Sequence, residues 1–231
     1  MDLKEAIKLR HSIRKYHEKA LQEDALRILE DEIGKCNLEG GLHIQLVQDE
    51  PMAFRSWLCY GTFFGVTSYL VMAGKKSPAL DERIGYYGER LVLLAQTLGI
   101  DSCWAGLSYQ KVKGAFTLEK DERLCCLIAL GYGNQEGRKH GIKTPSQVSN
   151  QDEDSPLWFK EGIQAALLAP TAVNQQRFFF ELTKKTDPSG KPVVKAKPGF
   201  SLFGYTHMDL GIAKLHFELG AGSEHFSWEE L

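Results

Sequence analysis

Apolar residues recur at helical and strand spacings along most of this chain of 231 residues. Between Ile84 and Leu98 they recur every three or four residues, which is the period of one helical face, and Gly99 follows as a typical C-terminal cap. The same spacing predicts further helices at Asp2–Leu9, Leu21–Ile33 (closed by Gly34), Leu157–Ala169 and Thr206–Gly220. Alternating or continuous apolar runs predict strands at Leu42–Val47, Val66–Ala73, Leu124–Gly133 and Phe178–Phe180. Glu181–Pro198 is predicted as a lysine-rich turn region with a tight turn at Asp187–Gly190, and the acidic tail Ser223–Leu231 is predicted to be partly disordered. The length suits one large domain or two small ones.

The most informative junction is Leu167–Phe180, which reads LLAPTAVNQQRFFF. Pro170 ends the preceding helix, because proline has no N–H and disfavours a helical residue before it. Small polar residues then form a turn at Thr171–Asn174 that leads into the aromatic strand. This turn offers a hydroxyl, an amide and free backbone groups to a polar planar ligand. An ordinary helix–turn–strand junction has the same pattern, so both interpretations stay open on this stretch alone.

A second candidate is the basic segment Arg10–Tyr16, reading RHSIRKY directly after the first helix. It places three cations and one hydroxyl within six positions. Arginine provides fork-shaped, charge-assisted donors and serine adds another, which suits a phosphate monoester. A solvated surface would have the same composition.

Composition narrows the class of protein. The chain has 43% hydrophobic and 25% charged residues and a formal net charge of −2, which is typical of a globular protein and predicts neither nucleic acid nor an anionic membrane as partner. The N-terminus lacks the apolar core of a signal peptide, and the longest apolar-leaning run, Phe63–Ala73, is too short to span a bilayer. The histidines follow no metal-site pattern. Five cysteines without C-x-x-C spacing predict buried thiols in a reducing cytosol, hence a cytoplasmic protein: Cys36, Cys59, Cys103, Cys125 and Cys126.

Residues 169–176, reading APTAVNQQ, resemble the Ala-Pro-Ser-x-x-Asn-x-Gln-Pro signature of the flavin-dependent nitroreductase family. Thr171 replaces the serine, and Arg177 stands where the family usually has proline. The segment Arg10–Tyr16 resembles the Arg-Arg/His-Ser-x-Arg/Lys-x-Tyr/Phe motif that opens the family. Gly99–Leu107 resembles its Leu-Gly-Leu-x-x-x-Trp-x-Gly segment, and Leu124–Gly133 its Ile-Ile-Ala-Ile-Gly-Tyr-Pro strand. The resemblance covers most of the chain.

This resemblance implies an α+β fold, an α/β sandwich in which helices flank a central mixed or antiparallel sheet. Family members usually form homodimers with the signature near the N-terminus, whereas here it lies in the last third. We therefore predict a nitroreductase-like core lobe at 1–145 and a C-terminal lobe at 155–231, joined by a linker at 134–154. The C-terminal lobe would act as a reduced second lobe that completes the flavin site. A monomer with an internal pseudo-dimer and a chain-swapped homodimer both remain open.

The resemblance also implies tightly bound, non-covalent FMN, with NAD(P)H as a transient reductant. Arg10, His11 and Ser12 would hold the phosphate, and Arg14 would stabilise the negative charge that reduction leaves near N1 and O2 of the ring. The backbone of Trp104, Ala105, Gly106 and Leu107 would face the ring near N5. The turn of Pro170, Thr171, Ala172, Asn174 and Gln176 would lie along its pyrimidine edge. Arg138 and Lys143 stand where relatives carry further basic residues that touch the phosphate.

The predicted activity is that of an FMN-dependent oxidoreductase, passing electrons from NAD(P)H to nitroaromatic or quinone-like small molecules in a ping-pong cycle. No catalytic side chain is implied, because the flavin carries the chemistry. The chain also has no Gly-x-Gly-x-x-Gly after a strand, so a Rossmann nicotinamide site is not indicated. The alternative is a non-catalytic flavin- or ligand-binding protein, in which Arg177 and Tyr60–Phe64 fill the space above the ring. A third interpretation is an interaction module without flavin.

Overall fold

A computed structural model of the chain describes residues 1–55, 62–135, 137 and 140–229. The chain divides into two compact units, 1–139 and 140–231. The first unit contains α1 (Leu3–Leu9), β1 (Tyr16–His17), α2 (Glu23–Gly40), β2 (Gln45–Val47), β3 (Ser68–Lys75), α3 (Leu80–Thr97), β4 (Asp101–Ala105) and β5 (Glu122–Gly133). The second contains α4 (Pro145–Val148), α5 (Leu157–Ala166), β6 (Phe178–Thr186), β7 (Pro192–Pro198), α6 (Thr206–Ala221) and β8 (Ser227–Trp228). Short 3-10 turns lie at Met52–Phe54 and Ala172–Asn174.

The first unit is organised around β5, which pairs antiparallel with β1, β3 and β4, while β2 extends the sheet beyond β3. Residues 68–74 of β3 and 125–131 of β5 are buried on both faces, as their continuous apolar runs predict. The helix α3 packs against this sheet, and α1 and α2 pack against α3. The predicted α+β fold, with helices flanking an antiparallel sheet, is confirmed.

The second unit has a three-stranded sheet in which β7 pairs antiparallel with β6 and parallel with β8. The helices α5 and α6 pack against each other. Its core is aromatic: the rings of Phe180 and Phe217 stack with centroids 4.9 Å apart, and Phe159 and Phe226 meet Phe217 edge-on. Aromatic rings bury large apolar areas, so a few of them supply most of the core of this small unit.

The structure corrects two predictions in this unit. Glu181–Pro198 is predicted as a lysine-rich turn region, but β6 continues to Thr186 and β7 follows the tight turn that the sequence places at 187–190. The tail from Ser223 onward is predicted to be partly disordered, yet Phe226 is buried and Trp228 pairs with β7. The Trp228 indole N–H also donates to Glu218 Oε1 at 2.6 Å. These strands depend on pairing with distant residues, which a local pattern does not reveal.

The interval predicted as a linker, 134–154, is partly folded. The helix α4 begins with a capping box, in which the side chains of Thr144 and Gln147 each bind the other residue's backbone N–H. Ser149 forms an isolated parallel bridge with Phe180 of β6. Residues from His140 onward belong to the second compact unit, so the division between the two units falls inside the interval predicted as a linker.

The helix α2 is longer than the sequence predicts. It runs through Gly34 to Gly40, so the predicted end at Gly34 is wrong. Among the described residues, the helices fall short of the length and apolar character that a bilayer span requires.

Cys36, Cys103, Cys125 and Cys126 are buried free thiols, as predicted, and Cys59 lies outside the described residues. Burial raises the pKa of Cys36 and of Cys125 to about 12, which makes both thiols unreactive.

Candidate functional site

Arg10 follows α1 directly and is buried. The helix is capped at its N-terminus by Asp2, whose side chain accepts the Glu5 N–H at 2.8 Å, and at its C-terminus by Arg10, whose N–H donates to Ala6 O at 2.9 Å. Arg10 is 6% exposed, and its Nε lies 3.8 Å from Glu89 Oε1. Within the described part of the chain this Nε has no hydrogen-bond partner. A buried donor of this kind is costly unless something accepts from it, so the position suits an anionic ligand.

Glu89 is a residue of this site that sequence reasoning missed. It is fully buried on α3, and its Oε2 accepts the indole N–H of Trp104 at 2.9 Å. The available signal is a carboxylate in the largely apolar stretch of α3, where Arg90 follows it. The Trp104 ring also packs against Gly88, where an added Cβ would lie 2.5 Å from the ring. The Trp104 side chain is thus committed to packing on α3, and its backbone lies in β4 opposite Ile128 of β5.

The basic segment Arg10–Tyr16 and the strand that carries Trp104 lie side by side in the first unit. Ser12 forms a parallel bridge with Ser102 at the start of β4, and the Ile13 N–H donates to Ser102 O at 3.1 Å. Burial raises the pKa of the Cys103 thiol, while the charges of Arg14 and Arg10 and a hydrogen bond with Ser12 act in the opposite direction. The structure therefore brings the basic segment to the strand that carries Trp104.

The remaining predicted residues of this unit surround that junction. His11 is half-buried and lies against the backbone of Gly137, where a Cβ would come within 2.2 Å of the imidazole ring. Arg14 is exposed, and its carbonyl accepts the Phe64 N–H at 2.9 Å. Ala105 is buried at the end of β4, which the sequence did not predict as a strand, and Gly106 and Leu107 follow it, with the Leu107 side chain exposed. Arg138 lies outside the described residues.

The aromatic loop Tyr60–Phe64 fills the space above the flavin ring in the alternative interpretation, but its described residues differ in burial. Phe63 is buried in the core of the first unit, with its ring 4.9 Å from that of Phe54. Phe64 is half exposed. Tyr60 and Gly61 lie outside the described residues. Phe63 is therefore a core residue rather than a cover for a ligand.

The turn after Pro170 has a strained backbone. Val173, Asn174 and Gln176 have φ of 46°, 55° and 45°, in the left-handed region that is uncommon for residues other than glycine and most unfavourable for a β-branched one. The helix α5 ends at Ala166, three residues before the predicted end, because its last turn tightens ahead of Pro170. Strained turns of this kind cluster at ligand and active sites, where surrounding contacts hold them in place.

Hydrogen bonds around Gln176 hold this turn. Gln176 is buried, and its Nε2 donates to Gly141 O and to Asn174 Oδ1, each at 2.8 Å. The Gln176 N–H donates to the hydroxyl of Thr171 at 3.0 Å. The Asn174 Nδ2 also donates to Gly141 O at 2.8 Å. Asn174 itself is exposed, so an oriented amide is presented where a ligand can reach it.

Lys143 supports the same turn. Its backbone N–H donates to Gln176 Oε1 at 2.9 Å, and its ammonium donates to Gln176 O at 2.6 Å. Burial, and secondarily the charge of Arg177, lowers the pKa of Lys143. Lys143 therefore stabilises the turn of the second unit, in addition to any contact that it makes with an anion.

Asp209 is the second residue that sequence reasoning missed. It lies in the first turn of α6 and is 3% exposed. Its Oδ1 accepts the Ala172 N–H at 3.0 Å, and its Oδ2 accepts from Gln175 Nε2 at 2.7 Å. Burial raises the pKa of Asp209 to about 6, although both hydrogen bonds act to lower it. An acid at the start of an apolar helix is the only sequence signal, and it reads equally well as a helix cap.

The described residues predicted to bind the ligand fall into two groups, one in each unit. The first unit brings together Arg10, His11, Ser12, Arg14, Trp104, Ala105, Gly106 and Leu107. The second brings together Lys143, Pro170, Thr171, Ala172, Asn174 and Gln176. Each group combines oriented polar donors with backbone that is held by buried contacts.

Solved structures share this fold. The crystal structure of "a putative nitroreductase" from Thermotoga maritima aligns with a TM-score of 0.64 and 21% identity over 95% of this chain and 83% of that one. The structure of "a putative nitroreductase in complex with FMN" from Desulfovibrio desulfuricans aligns with a TM-score of 0.52 and 18% identity over 68% of this chain and 99% of that one. The structure of a "Putative NADH Oxidase" from Clostridium acetobutylicum aligns with a TM-score of 0.50 and 16% identity over 64% and 99% of the two chains.

No curated protein matches the chain. The family model described as "Putative TM nitroreductase" matches residues 2–221, which is nearly the whole chain and includes both groups of candidate residues. The chain therefore belongs to this nitroreductase family.

Proposed function

We propose that the protein is an FMN-dependent oxidoreductase of nitroreductase type. The observation that carries this proposal is the buried guanidinium of Arg10, whose Nε has no hydrogen-bond partner among the described residues and lies in the same segment as Ser12 and Arg14. In a member of the nitroreductase family, a buried arginine in the same segment as a serine and a second arginine fits the phosphate of a flavin cofactor. The structurally similar protein from Desulfovibrio desulfuricans is in complex with FMN, which supports the choice of flavin.

The residues present fit FMN by their chemistry. Arg10, His11 and Ser12 would hold the phosphate through charge-assisted hydrogen bonds. Arg14 is an exposed cation near the Cys103 thiol, and it would favour negative charge on the ring. The Asn174 amide, fixed by its hydrogen bonds to Gly141 and Gln176, can donate and accept along a polar ring edge. When bound, FMN supplies hydride and electron transfer.

We propose NAD(P)H as the electron donor and nitroaromatic or quinone-like compounds as acceptors. The resemblance to nitroreductases supports both, and the Clostridium acetobutylicum protein of similar fold is named "Putative NADH Oxidase". Donor and acceptor would use one binding position in turn, which gives ping-pong kinetics. The protein's part is to bind and orient, since no side-chain acid or base is needed at the reacting atoms.

We also propose that residues of both units contribute to FMN binding. The signature turn Pro170–Gln176 and the basic segment Arg10–Tyr16 each fit a different part of the same cofactor. Their contribution can come from one chain or from two copies of it, and mixing two differently damaged chains distinguishes the two cases.

The test is the visible absorption spectrum of the purified protein, before and after addition of NADH or NADPH without oxygen. We expect a yellow protein that loses its colour with the nucleotide and regains it with a quinone or nitroaromatic compound. Initial rates at several acceptor concentrations should then give parallel double-reciprocal lines. A yellow protein that neither nucleotide reduces would instead support a flavin-binding protein without catalysis. A colourless protein that cannot be reconstituted with FMN would contradict the proposal.

A further inference from the structure

Asp209 joins two segments of the second unit that have little regular structure of their own. Its carboxylate accepts from the Ala172 N–H and from Gln175 Nε2, both in the strained turn. Gln175 Nε2 also donates to Gly204 O at 3.0 Å, and the Asp209 N–H donates to Tyr205 O at 2.8 Å. One buried carboxylate and one amide thus connect the turn at 171–176 with the loop at 199–205.

Both segments need such support. Val173 and Tyr205, with φ of 46° and 61°, lie in the left-handed region, which is unfavourable for their side chains. The loop also carries three large apolar side chains in contact with solvent: Phe200 is 81% exposed, Leu202 90% and Phe203 69%. A strained turn and an apolar loop keep one conformation only where other contacts fix them.

We propose that the ionised carboxylate of Asp209 is a positioning residue, which holds the turn Thr171–Gln176 and the loop Gly199–Tyr205 together in the arrangement that binds FMN. This assignment rests on the proposed function. It adds a residue that does not belong to either sequence motif and that acts through the turn rather than by touching the cofactor.

The hydrogen bonds require the ionised form. A carboxylate can accept from both the Ala172 N–H and the Gln175 amide, whereas a protonated oxygen is itself a donor. If Oδ2 is protonated, its O–H and the N–H of Gln175 Nε2 are both hydrogen-bond donors, so they no longer form a hydrogen bond with each other. The Gln175 amide can resolve this by rotating its Oε1, which has no hydrogen-bond partner among the described residues, toward Asp209. The hydrogen bond from Gln175 Nε2 to Gly204 O is then lost, so the turn and the loop separate.

Asp209 is placed to titrate in an accessible range, since burial raises its pKa to about 6. The two hydrogen bonds from the turn act in the opposite direction. The neighbouring elements carry other charged or titratable side chains: His140 and Lys143 before α4, Lys160 and Glu161 on α5, Arg177 after the turn, Tyr205 in the loop, and His207, Lys214, His216 and Glu218 on α6. These groups are common to the wild type and to an Asp209 variant, so a comparison of the two isolates Asp209.

The experiment compares wild type, Asp209→Asn and the control Asp24→Asn, whose carboxylate lies on the exposed face of α2. The dissociation constant of FMN is measured by flavin fluorescence from pH 8 to pH 5. A phosphate monoester itself titrates near pH 6, so the informative quantity is the ratio of the variant's constant to that of the wild type at each pH. We expect this ratio for Asp209→Asn to be about ten at pH 8, as for a lost hydrogen bond to a charged group, and to approach one at pH 5. For Asp24→Asn it should stay near one throughout.

A second measurement does not need FMN, and its first part needs only the wild type. In the cofactor-free wild type, the amide resonance of Ala172 should shift with a midpoint near pH 6, and in a folded Asp209→Asn it should not. A ratio that is independent of pH, or an Ala172 amide that stays constant from pH 8 to pH 5, would overturn the role of Asp209. Absence of FMN binding at every pH would contradict the proposed function instead, and the Ala172 titration would still decide the role of Asp209.

Discussion

At the scale of single residues, the first unit holds the guanidinium of Arg10, whose Nε has no hydrogen-bond partner among the residues that the structure describes. The separation of 3.8 Å between Arg10 Nε and Glu89 Oε1 is too long for a hydrogen bond, although the opposite charges still attract. Glu89 instead binds the indole of Trp104. Burying an ion pair costs much of what its attraction provides, so this arrangement makes better sense as preparation for a ligand than as a source of stability.

Changing Arg10 to alanine should weaken FMN binding by roughly 1.5–3 kcal/mol, because one hydrogen bond to a charged group is lost. Fluorescence titration of the cofactor-free protein measures this. Arg27→Ala is the matched control, since that side chain is exposed on α2 and forms an ion pair with the likewise exposed Asp24 of the same helix. An FMN affinity that is the same in Arg10→Ala and in Arg27→Ala would remove Arg10 from the site.

Asp209 gives a pH dependence of stability that has a definite sign. Its pKa is about 6 in the folded protein, above the ordinary 3.8, so the folded state retains a proton that the unfolded state has already lost. This group therefore stabilises the fold relatively at low pH, and its contribution falls as the pH rises from about 4 to above 6. At 1.36 kcal/mol per pH unit the difference is about 3 kcal/mol.

The measurement is urea denaturation of wild type and Asp209→Asn at a series of pH values. The free energy of unfolding of the wild type should fall, relative to that of the variant, by up to about 3 kcal/mol between pH 4 and pH 7. A difference between the two proteins that is constant with pH would show that Asp209 has an ordinary pKa. If the proposed positioning role holds, the protein accepts this cost at neutral pH in order to keep the turn in its binding form.

At the scale of elements, the helix α3 and the strand β4 meet at Gly88. An added Cβ there would lie 2.5 Å from the Trp104 ring and 2.8 Å from Met72 Cε. The Met72 side chain is flexible, but the Trp104 ring is fixed by its bond to Glu89. Gly88→Ala should therefore lower the free energy of unfolding by about 1–3 kcal/mol, the usual cost of overpacking a core.

Gly34→Ala is the matched control for that change. Gly34 lies inside α2, and a Cβ there would have open space around it. Alanine is the better helix former, so this variant should gain about 0.5–1 kcal/mol. Denaturation midpoints of both variants test the pair, and a gain in stability at both positions would contradict the close contact at Gly88.

Gly34 also shows where prediction from the sequence succeeds and fails. The elements with a strong apolar period or a continuous apolar run, such as α3, α6, β3 and β5, are predicted because burial on one or both faces dictates their pattern. A glycine is a typical helix end, but the packing of α2 on α3 carries the helix six residues further, to Gly40. The sequence does not predict the strand β7, because Val193 and Val194 are its only buried residues and Lys195 and Lys197 follow them.

The candidate site divides in the same way. Arg10, Ser12 and Thr171 lie in local motifs that resemble those of the family, and this resemblance predicts a role for them in ligand binding. Glu89 and Asp209 were missed because their partners are distant in sequence: Asp209 binds a residue 37 positions away. A carboxylate shows no local sign of the donor it will meet, so such supporting residues emerge only from the fold.

At the scale of the whole molecule, each unit carries one of the two groups of candidate residues. The basic segment and the strand β4 belong to the first unit, and the signature turn with Asp209 belongs to the second. We predict that a single chain provides both groups for one FMN. A chain-swapped homodimer would provide them from two chains, and both forms would bind the cofactor equally well.

A mixing experiment separates these forms. One chain carries Arg10→Ala with Arg14→Ala, and the other carries Asn174→Ala with Pro170→Gly, so that each is inactive by itself. The two are unfolded together, refolded with FMN at equal concentration, and assayed with NAD(P)H and a quinone. In a swapped dimer, half of the dimers are mixed and each of these has one intact site, which restores about a quarter of the wild-type activity. We expect no recovery, because every chain would then carry a damaged site of its own. Wild type taken through the same refolding must regain its activity, and recovery near one quarter in the mixture would show that the sites are shared between chains.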